Sequence, residues 1–392
     1  MADALLGDHY VLACRDCRFP IRYDAESPPS DERVVCPNCG CVNEHGDSRS
    51  CRGQRVLLDR AAYALRGPRR WDTVAARTPG EPQRLTVKRV VGMPGESAAI
   101  RHGDLYANGR IVQKSLAAFR QVAILVHDDW YRPRGTGPAA TVPERWRVEA
   151  ADSRWRRRGG RWQCLAAPDR ESDGWDWLRY HHARCFASPL PPRAPGPVCD
   201  HYGHNQNESR QLHTVPDLLL ICQLQATGRA GALAFQIHDG YDQYRVELRP
   251  RERHGQLYRS GTPAADFALP AAAYARGVSV EWAACDRRVL LAIDDRVVLQ
   301  YDCGPPQGPL QADPAPLAIG VCGLSVTVRR LQMWRDLYYL DPLGLGRDWE
   351  APRALRADEY FLVGDNVPVS QDSRHWPTLG MSRDALVGRV WP

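Results

Sequence analysis

The sequence predicts a mainly β protein made of several antiparallel units. Short runs rich in Val, Ile, Leu and aromatic residues recur from residue 55 onwards. Turns containing Pro and Gly separate them, which is the pattern of antiparallel strands. Two Cys-x-x-Cys pairs precede these runs and indicate a small, separate metal module. With 392 residues, the chain is long enough for two or three units, each with its own core.

Composition excludes some functions. The net charge of +6 is small for this length and is spread among many Arg and Asp/Glu neighbours. A solvated, Arg-rich surface is therefore favoured over a nucleic-acid interface, and we expect no nucleic-acid partner. No stretch approaches the ~18 consecutive apolar residues of a transmembrane helix. The first residues also lack the basic start and apolar centre of a signal peptide.

Residues 1–52 predict a zinc ribbon followed by a polar linker. Cys14-x-x-Cys17 and Cys36-x-x-Cys39 are separated by 18 residues, a spacing typical of two knuckles that each donate two thiolates to one tetrahedral zinc ion. The zinc is expected to be structural, because four thiolates leave no open coordination position. Two unrelated reduced pairs, or disulfides, are the alternatives, and the nearby Cys41 and Cys51 complicate the choice of ligands.

Residues 53–126 predict the first part of an antiparallel β-domain. Its strand-like runs lie at 55–58, 73–75, 86–91, 98–100 and 105–107. Residues 355–392 return to this pattern and are expected to complete the domain. The domain is then split by an insertion of residues 127–354. Such a split is tolerable where both ends of the insertion leave from one exposed loop.

Residues 127–354 predict a two-sheet β-sandwich. Strand-like runs lie at 218–224, 232–237, 243–248, 278–282, 289–293, 297–301 and 317–321. Turn signals such as Asp239-Gly240 fall between them. The order of the runs, closing with residues 326–336, resembles laminin-G and concanavalin-like jelly rolls. Such sandwiches often bind glycans or proteins, so the resemblance implies a glycan or protein ligand.

The use of lysine points to chemistry. Of 52 Lys and Arg residues, only Lys88 and Lys114 are lysines. An ammonium buried in an apolar pocket can lose its proton near neutral pH and act as a general base, whereas a guanidinium stays charged. Lys88, in Thr86-Val87-Lys88-Arg89-Val90, is therefore a candidate base. The alternative is codon bias with a leftover Lys.

Six short sequence blocks, one of which contains Lys88, follow one another in a specific order. They are Gly53 to Asp59, Pro68 to Val74, Val87 to Gly109, Phe361 to Asn366, Ser370 to Trp376 and Leu386 to Val390. In this order they resemble the conserved boxes of type I signal peptidases, which are membrane-bound serine peptidases with a Ser-Lys dyad. The resemblance covers about residues 53–126 and 355–392.

The resemblance implies a role for each matching residue. Lys88 would be the general base, Ser370 and Asp372 would orient it, and Arg374 would be the ion-pair partner of Asp372. Asp372 and Arg374 could instead form an ordinary surface pair. Lys114 lies in no matching block, so we expect Lys114→Arg to leave cleavage unchanged.

The nucleophile is expected just upstream of Met1. In the family the serine opens a Ser-Met-x-Pro-Thr-Leu motif after a transmembrane anchor, and Met1-Ala2-Asp3-Ala4-Leu5 resembles that motif entered at its Met. The implied protein is anchored in the cell inner membrane, has its active site on the extracytoplasmic face, and removes signal peptides from exported preproteins.

Two other functions stay open at this point. One is an inactive relative that binds a peptide or glycan through the sandwich. The other is a zinc-ribbon module that contacts nucleic acid, which the dispersed charge argues against.

Overall fold

The computed structural model describes residues 4–134, 144–166, 174–186, 194–228, 230–271 and 274–391. Strands dominate these residues, and every strand pair described among them is antiparallel. The prediction of a mainly β fold with several antiparallel sheets is confirmed.

The N-terminal module is a small β unit built around four cysteines. Its strands are β1 (His9–Ala13), β2 (Pro20–Asp24), β3 (Arg33–Val35), β4 (Val42–Glu44) and β5 (Arg49–Cys51). A three-stranded sheet has the order β2-β1-β5, and β3 and β4 form a hairpin. Each Cys-x-x-Cys pair lies in a tight turn. In the second turn Gly40 has a φ of 71°, a conformation that favours glycine, and its N–H bonds the carbonyl of Cys36 at 2.8 Å.

The next segment forms two further sheets. Its elements are β6 (Leu57–Asp59), β7 (Thr73–Thr78), β8 (Glu81–Gly92), β9 (Ala98–Arg101), β10 (Asp104–Ala107), β11 (Arg110–Ile111) and helix α1 (Leu116–Val122). β7 and β8 form a hairpin, and so do β9 and β10. Ser115 begins α1 as its N-cap, because its side chain accepts the N–H of Ala118 at 3.2 Å.

The middle of the chain forms a two-sheet sandwich. Its strands are β12 (Ile124–Asp128), β13 (Trp146–Val148), β14 (Trp155–Arg158), β15 (Arg161–Cys164), β16 (Asp176–Tyr180), β17 (Leu218–Thr227), β18 (Ala232–His238), β19 (Gln243–Arg249), β20 (His254–Arg259), β21 (Thr262–Ala268), β22 (Val278–Cys285), β23 (Arg288–Ile293), β24 (Arg296–Asp302), β25 (Leu317–Cys322) and β26 (Ser325–Arg335). One sheet has the order β14-β15-β26-β17-β22-β23-β24, with β12 also on β26, and the other has the order β13-β16-β25-β18-β19-β20-β21. Fully buried Trp146, Trp155, Trp282, Phe235 and Tyr244 fill the core between them.

The last strands return to the sheets that precede the sandwich. They are β27 (Trp349–Glu350), β28 (Glu359–Val363), β29 (Met381–Ser382) and β30 (Leu386–Trp391). β28 pairs with β8, β30 lies between β7 and β6, and β27 pairs with β9. Strands from before and after the sandwich are therefore interleaved in one six-stranded sheet, with the order β29-β28-β8-β7-β30-β6. This interleaving brings Lys88, on β8, to the turn that follows β28.

Candidate active site and cysteine cluster

The amine of Lys88 meets the hydroxyl of Ser370 inside the protein. Lys88 Nζ donates to Ser370 Oγ at 2.8 Å, and Lys88 is only 8% exposed. Burial lowers the pKa of Lys88, and the nearby carboxylate of Asp372 opposes this shift only in part. The site therefore favours the neutral amine more than water does.

A glycine makes this contact possible. A Cβ on Gly364 would lie 2.2 Å from Ser370 Oγ and 3.4 Å from Lys88 Nζ. Because contacts under about 3 Å are not tolerated, a larger residue would push the serine away from the amine. Gly364 follows β28 and opens the turn that carries the site.

Asp372 and Arg374 form a buried pair that holds this turn. Arg374 Nε and Nη2 donate to the two carboxylate oxygens of Asp372 at 2.8 and 2.9 Å, and the N–H of Gly364 donates to Asp372 Oδ2 at 3.0 Å. Burial alone would raise the pKa of Asp372, but hydrogen bonds from His375 and Arg374 outweigh it and hold that pKa well below its usual range. The carboxylate is fully enclosed, so this pair is not a surface pair.

A second buried ion pair was not anticipated from the sequence. Arg89 Nε and Nη2 donate to the two oxygens of Asp365 at 2.8 and 2.7 Å, and Arg89 Nη1 donates to the carbonyl of Trp71 at 2.8 Å. Neighbouring residues on a strand point to opposite faces. Lys88 and Arg89 therefore hold the 364–370 turn from two sides. The sequence signal for this pair was Asp365 in Gly364-Asp365-Asn366 together with Arg89, the basic residue next to Lys88.

The inserted segment touches the same turn. The side chains of Asn205 and Asn366 exchange two hydrogen bonds of 2.8 Å, and the Tyr202 hydroxyl donates to the carbonyl of Asp365 at 3.1 Å. Beside this contact lies a cavity of about 390 Å³, which Asp365 lines together with Leu6, Phe19, Val122 and Phe186. The N-terminal module, α1 and the insertion thus all border one cavity at the turn.

The four cysteines of the N-terminal module form a compact cluster. Sγ atoms of Cys14 and Cys39 are 3.7 Å apart, as are those of Cys17 and Cys36. All four sulfur atoms lie within 4.8 Å of one another and are buried. None of the four is in a disulfide. The cluster is compatible with a structural metal site.

Comparison with known families bears on two segments of the chain. Residues 45–143 and 343–391 match the family model of signal peptidase, peptidase S26. The first segment contains Lys88, and the second contains Ser370, Asp372 and Arg374. These segments therefore support a relationship to the signal peptidase family.

Other comparisons are more distant. Comparison with curated protein sequences finds no match. Solved structures similar to this chain include a carbohydrate-binding module from Bacillus subtilis, with 11% identity, 48% of this chain and 94% of that chain covered, and a TM-score of 0.31. A Bacillus licheniformis beta-glucanase has 9% identity, coverage of 49% and 91%, and a TM-score of 0.29. Sheep galectin-11 has 8% identity, coverage of 30% and 90%, and a TM-score of 0.23.

No helix among the described residues is both long enough and apolar enough to span a membrane.

Proposed function

We propose that this protein is a signal-peptidase-like serine endopeptidase that removes signal peptides from exported preproteins. The observation that carries the proposal is the buried Lys88 amine, 2.8 Å from the hydroxyl of Ser370 in a turn fixed by Asp372 and Arg374. A lysine enclosed in this way is suited to accept a proton from a serine during attack on a peptide carbonyl. In this role Lys88 takes the proton and later returns it to the leaving amine.

Ser370 acts as a positioning residue in this proposal. Its hydroxyl accepts from Lys88 Nζ and so fixes the amine in one orientation. Asp372 and Arg374 act on the backbone of the 364–374 turn, which they hold through Gly364 and Val367. In this proposal the nucleophile is the serine expected immediately before Met1. That serine follows an anchor in the inner membrane, and the active site lies on the extracytoplasmic face.

The cysteine cluster fits a zinc ion. Four ligands at the usual Zn–S distance of about 2.3 Å would place their sulfur atoms about 3.8 Å apart at the corners of a tetrahedron. The two 3.7 Å separations match that edge. We assign Cys14, Cys17, Cys36 and Cys39 as ligands of one structural zinc, whose role is to hold the two turns of the module together.

The proposal is tested on the reading frame that includes the codons upstream of Met1. Those codons should encode an apolar segment of ~20 residues followed by Ser, and the expressed protein should cleave a preprotein after a small residue. Lys88→Arg should abolish cleavage, because a guanidinium keeps its proton, whereas Arg84→Lys, on the exposed part of β8, should leave it unchanged. An in-frame stop codon before Met1, or normal turnover by Lys88→Arg, would overturn the Ser-Lys assignment and favour a binding module.

A further inference from the structure

The second lysine lies at the centre of a buried acidic cluster. Lys114 is 2% exposed, and its Nζ contacts Asp286 Oδ1 at 2.6 Å and Asp336 Oδ2 at 2.8 Å. Its backbone N–H donates to Asp286 Oδ2 at 2.7 Å. Lys114 precedes α1, whereas Asp286 follows β22 and Asp336 follows β26. The cluster therefore joins the sandwich to the segment that leads into it.

One ammonium is too little positive charge for this cluster. Asp217 Oδ2 accepts the N–H of Asp286 at 2.7 Å, and one atom each from Asp217, Cys285, Asp286 and Asp336 lie within 4.8 Å of one another. The three carboxylates and Lys114 carry a net charge of −2 when all are ionised. Uncompensated charge of this size inside a protein is costly. Asp104 and Arg287 interact electrostatically with the same residues and add one charge of each sign, so a divalent cation would still bring the total to zero.

Two buried oxygen atoms in this region lack a partner. Asp336 Oδ1 and the hydroxyl of Tyr339 have no hydrogen-bond partner in the part of the chain that the structure describes, although the two residues are 1% and 2% exposed. Tyr339 interacts electrostatically with Lys114 and Asp336 and also with Asp365 and Arg89, so its hydroxyl lies between the two clusters. Buried oxygens without donors are rare because each loses its bonds to water. A bound cation would give Asp336 Oδ1 the partner that it lacks.

We propose that Asp217, Asp286 and Asp336 bind one divalent cation that prefers oxygen ligands, of the Mn²⁺ or Ca²⁺ class. Carboxylates suit these ions rather than zinc. The candidate ligand atoms all lie within 4.8 Å of one another, close enough for one ion with M–O distances of about 2.4 Å to contact them all. The thiol of Cys285 donates to Asp286 Oδ2 at 3.0 Å and so borders the proposed site. The ion would tie the sandwich to the segment around Lys114.

The test uses the full chain after mild chelation, with zinc analysis to show that the cysteine module has kept its metal. Mn²⁺ is titrated and followed by electron paramagnetic resonance, which reports bound ion independently of activity. We expect one Mn²⁺ per chain, displaced by Ca²⁺, and a rise in melting temperature as the site fills. Asp217→Asn should weaken Mn²⁺ binding at least tenfold, whereas Asp295→Asn, at an exposed turn, should not change it.

Several results would overturn the proposal. They are the absence of Mn²⁺ binding to the wild-type chain, binding that fails to saturate at one ion, and equal binding by Asp217→Asn and the wild type. If circular dichroism shows that Asp217→Asn does not fold, the wild-type stoichiometry and the displacement by Ca²⁺ decide the matter. A cluster neutralised only by protons would show neither.

Discussion

Lys88 is the residue whose surroundings bear most directly on function. Burial lowers its pKa below the ordinary value of 10.5, which favours the neutral amine, the form that can accept a proton. Arg89, its neighbour on β8, keeps its charge in a buried pair with Asp365. Adjacent positions on one strand thus supply a titratable amine and a fixed cation.

The pH dependence of cleavage follows from this shift. The rate constant kcat/KM should rise with pH through the lowered pKa of Lys88, because below it the ammonium cannot accept the serine proton. Between that pKa and 10.5, the unfolded chain binds more protons at this position than the folded chain. The contribution of Lys88 to the free energy of unfolding therefore increases with pH in that window.

The profile is measured with a peptide substrate, and the stability curve is compared with that of Lys88→Met. A rate that stays flat or falls across the window would contradict the assignment. So would a Lys88→Met variant that keeps the same increase in stability with pH.

Lys114 has a structural role that its sequence context did not indicate. The sequence predicts that Lys114→Arg is silent in cleavage, but stability is a separate matter, because the structure buries this amine between Asp286 and Asp336 at 2.6 and 2.8 Å. A larger, planar guanidinium would overpack the site, so we now expect the free energy of unfolding to fall by roughly 1–3 kcal/mol.

Chemical denaturation measures this effect. Arg296→Lys on the exposed edge of β24 is the control and should change the free energy by less than about 0.5 kcal/mol. If the two variants are equally stable, the burial of Lys114 has no energetic consequence and this prediction fails.

The sequence could predict candidate site residues where short motifs carry them. Lys88, Ser370, Asp372 and Arg374 lie in local blocks, so their types and order were visible. The partners of Lys114 and Arg89 were not, because Asp286 and Asp365 lie 172 and 276 residues away. A short sequence motif cannot predict such contacts, because they depend on how distant strands pair across the insertion.

At the scale of elements, strands were predicted well where the apolar runs are buried. The run 278–282 lies within β22 (Val278–Cys285), whereas β21, with the sequence Thr-Pro-Ala-Ala-Asp-Phe-Ala, was not anticipated. β21 is the terminal strand of its sheet, and its residues are largely exposed. An edge strand tolerates Pro and Ala because it has fewer ladder bonds and less packing to satisfy.

The cysteine module gives a prediction at this scale. Cys36→Ser should remove the metal and unfold the module, because its strands are short and the buried cysteines make up much of its core. Metal analysis should find one zinc per wild-type chain and none in the variant. Cys51 lies outside the cluster, so the Cys51→Ser variant should keep the metal. A zinc-free wild-type preparation under reducing conditions, or disulfides among the four cysteines, would refute the assignment.

At the scale of the whole molecule, the insertion supports the site through the Asn205–Asn366 amide pair and the hydroxyl of Tyr202. Asn205→Ala would leave the buried amide of Asn366 without its two bonds, at a cost of about 1–3 kcal/mol, and would loosen the turn that carries Ser370. We expect a several-fold fall in kcat with little change in KM.

The neighbouring Gln206 provides the matched control, because it bonds the backbone of Val35 in the cysteine module and not the turn. Gln206→Ala should therefore leave kcat unchanged. Equal losses in the two variants would mean that the insertion affects cleavage only through overall stability.

The interleaved sheet also determines when the site can be completed during translation. Lys88 leaves the ribosome 282 residues before Ser370, an interval on the order of half a minute at ~5–20 residues per second. During that interval β8 has no β28 beside it, and the amine has no serine to meet. Because pairing between such distant strands is slow, the complete site forms last, after the sandwich has had time to fold. In the proposed peptidase, a nascent chain would therefore be unable to cut its neighbours before its own synthesis is nearly finished.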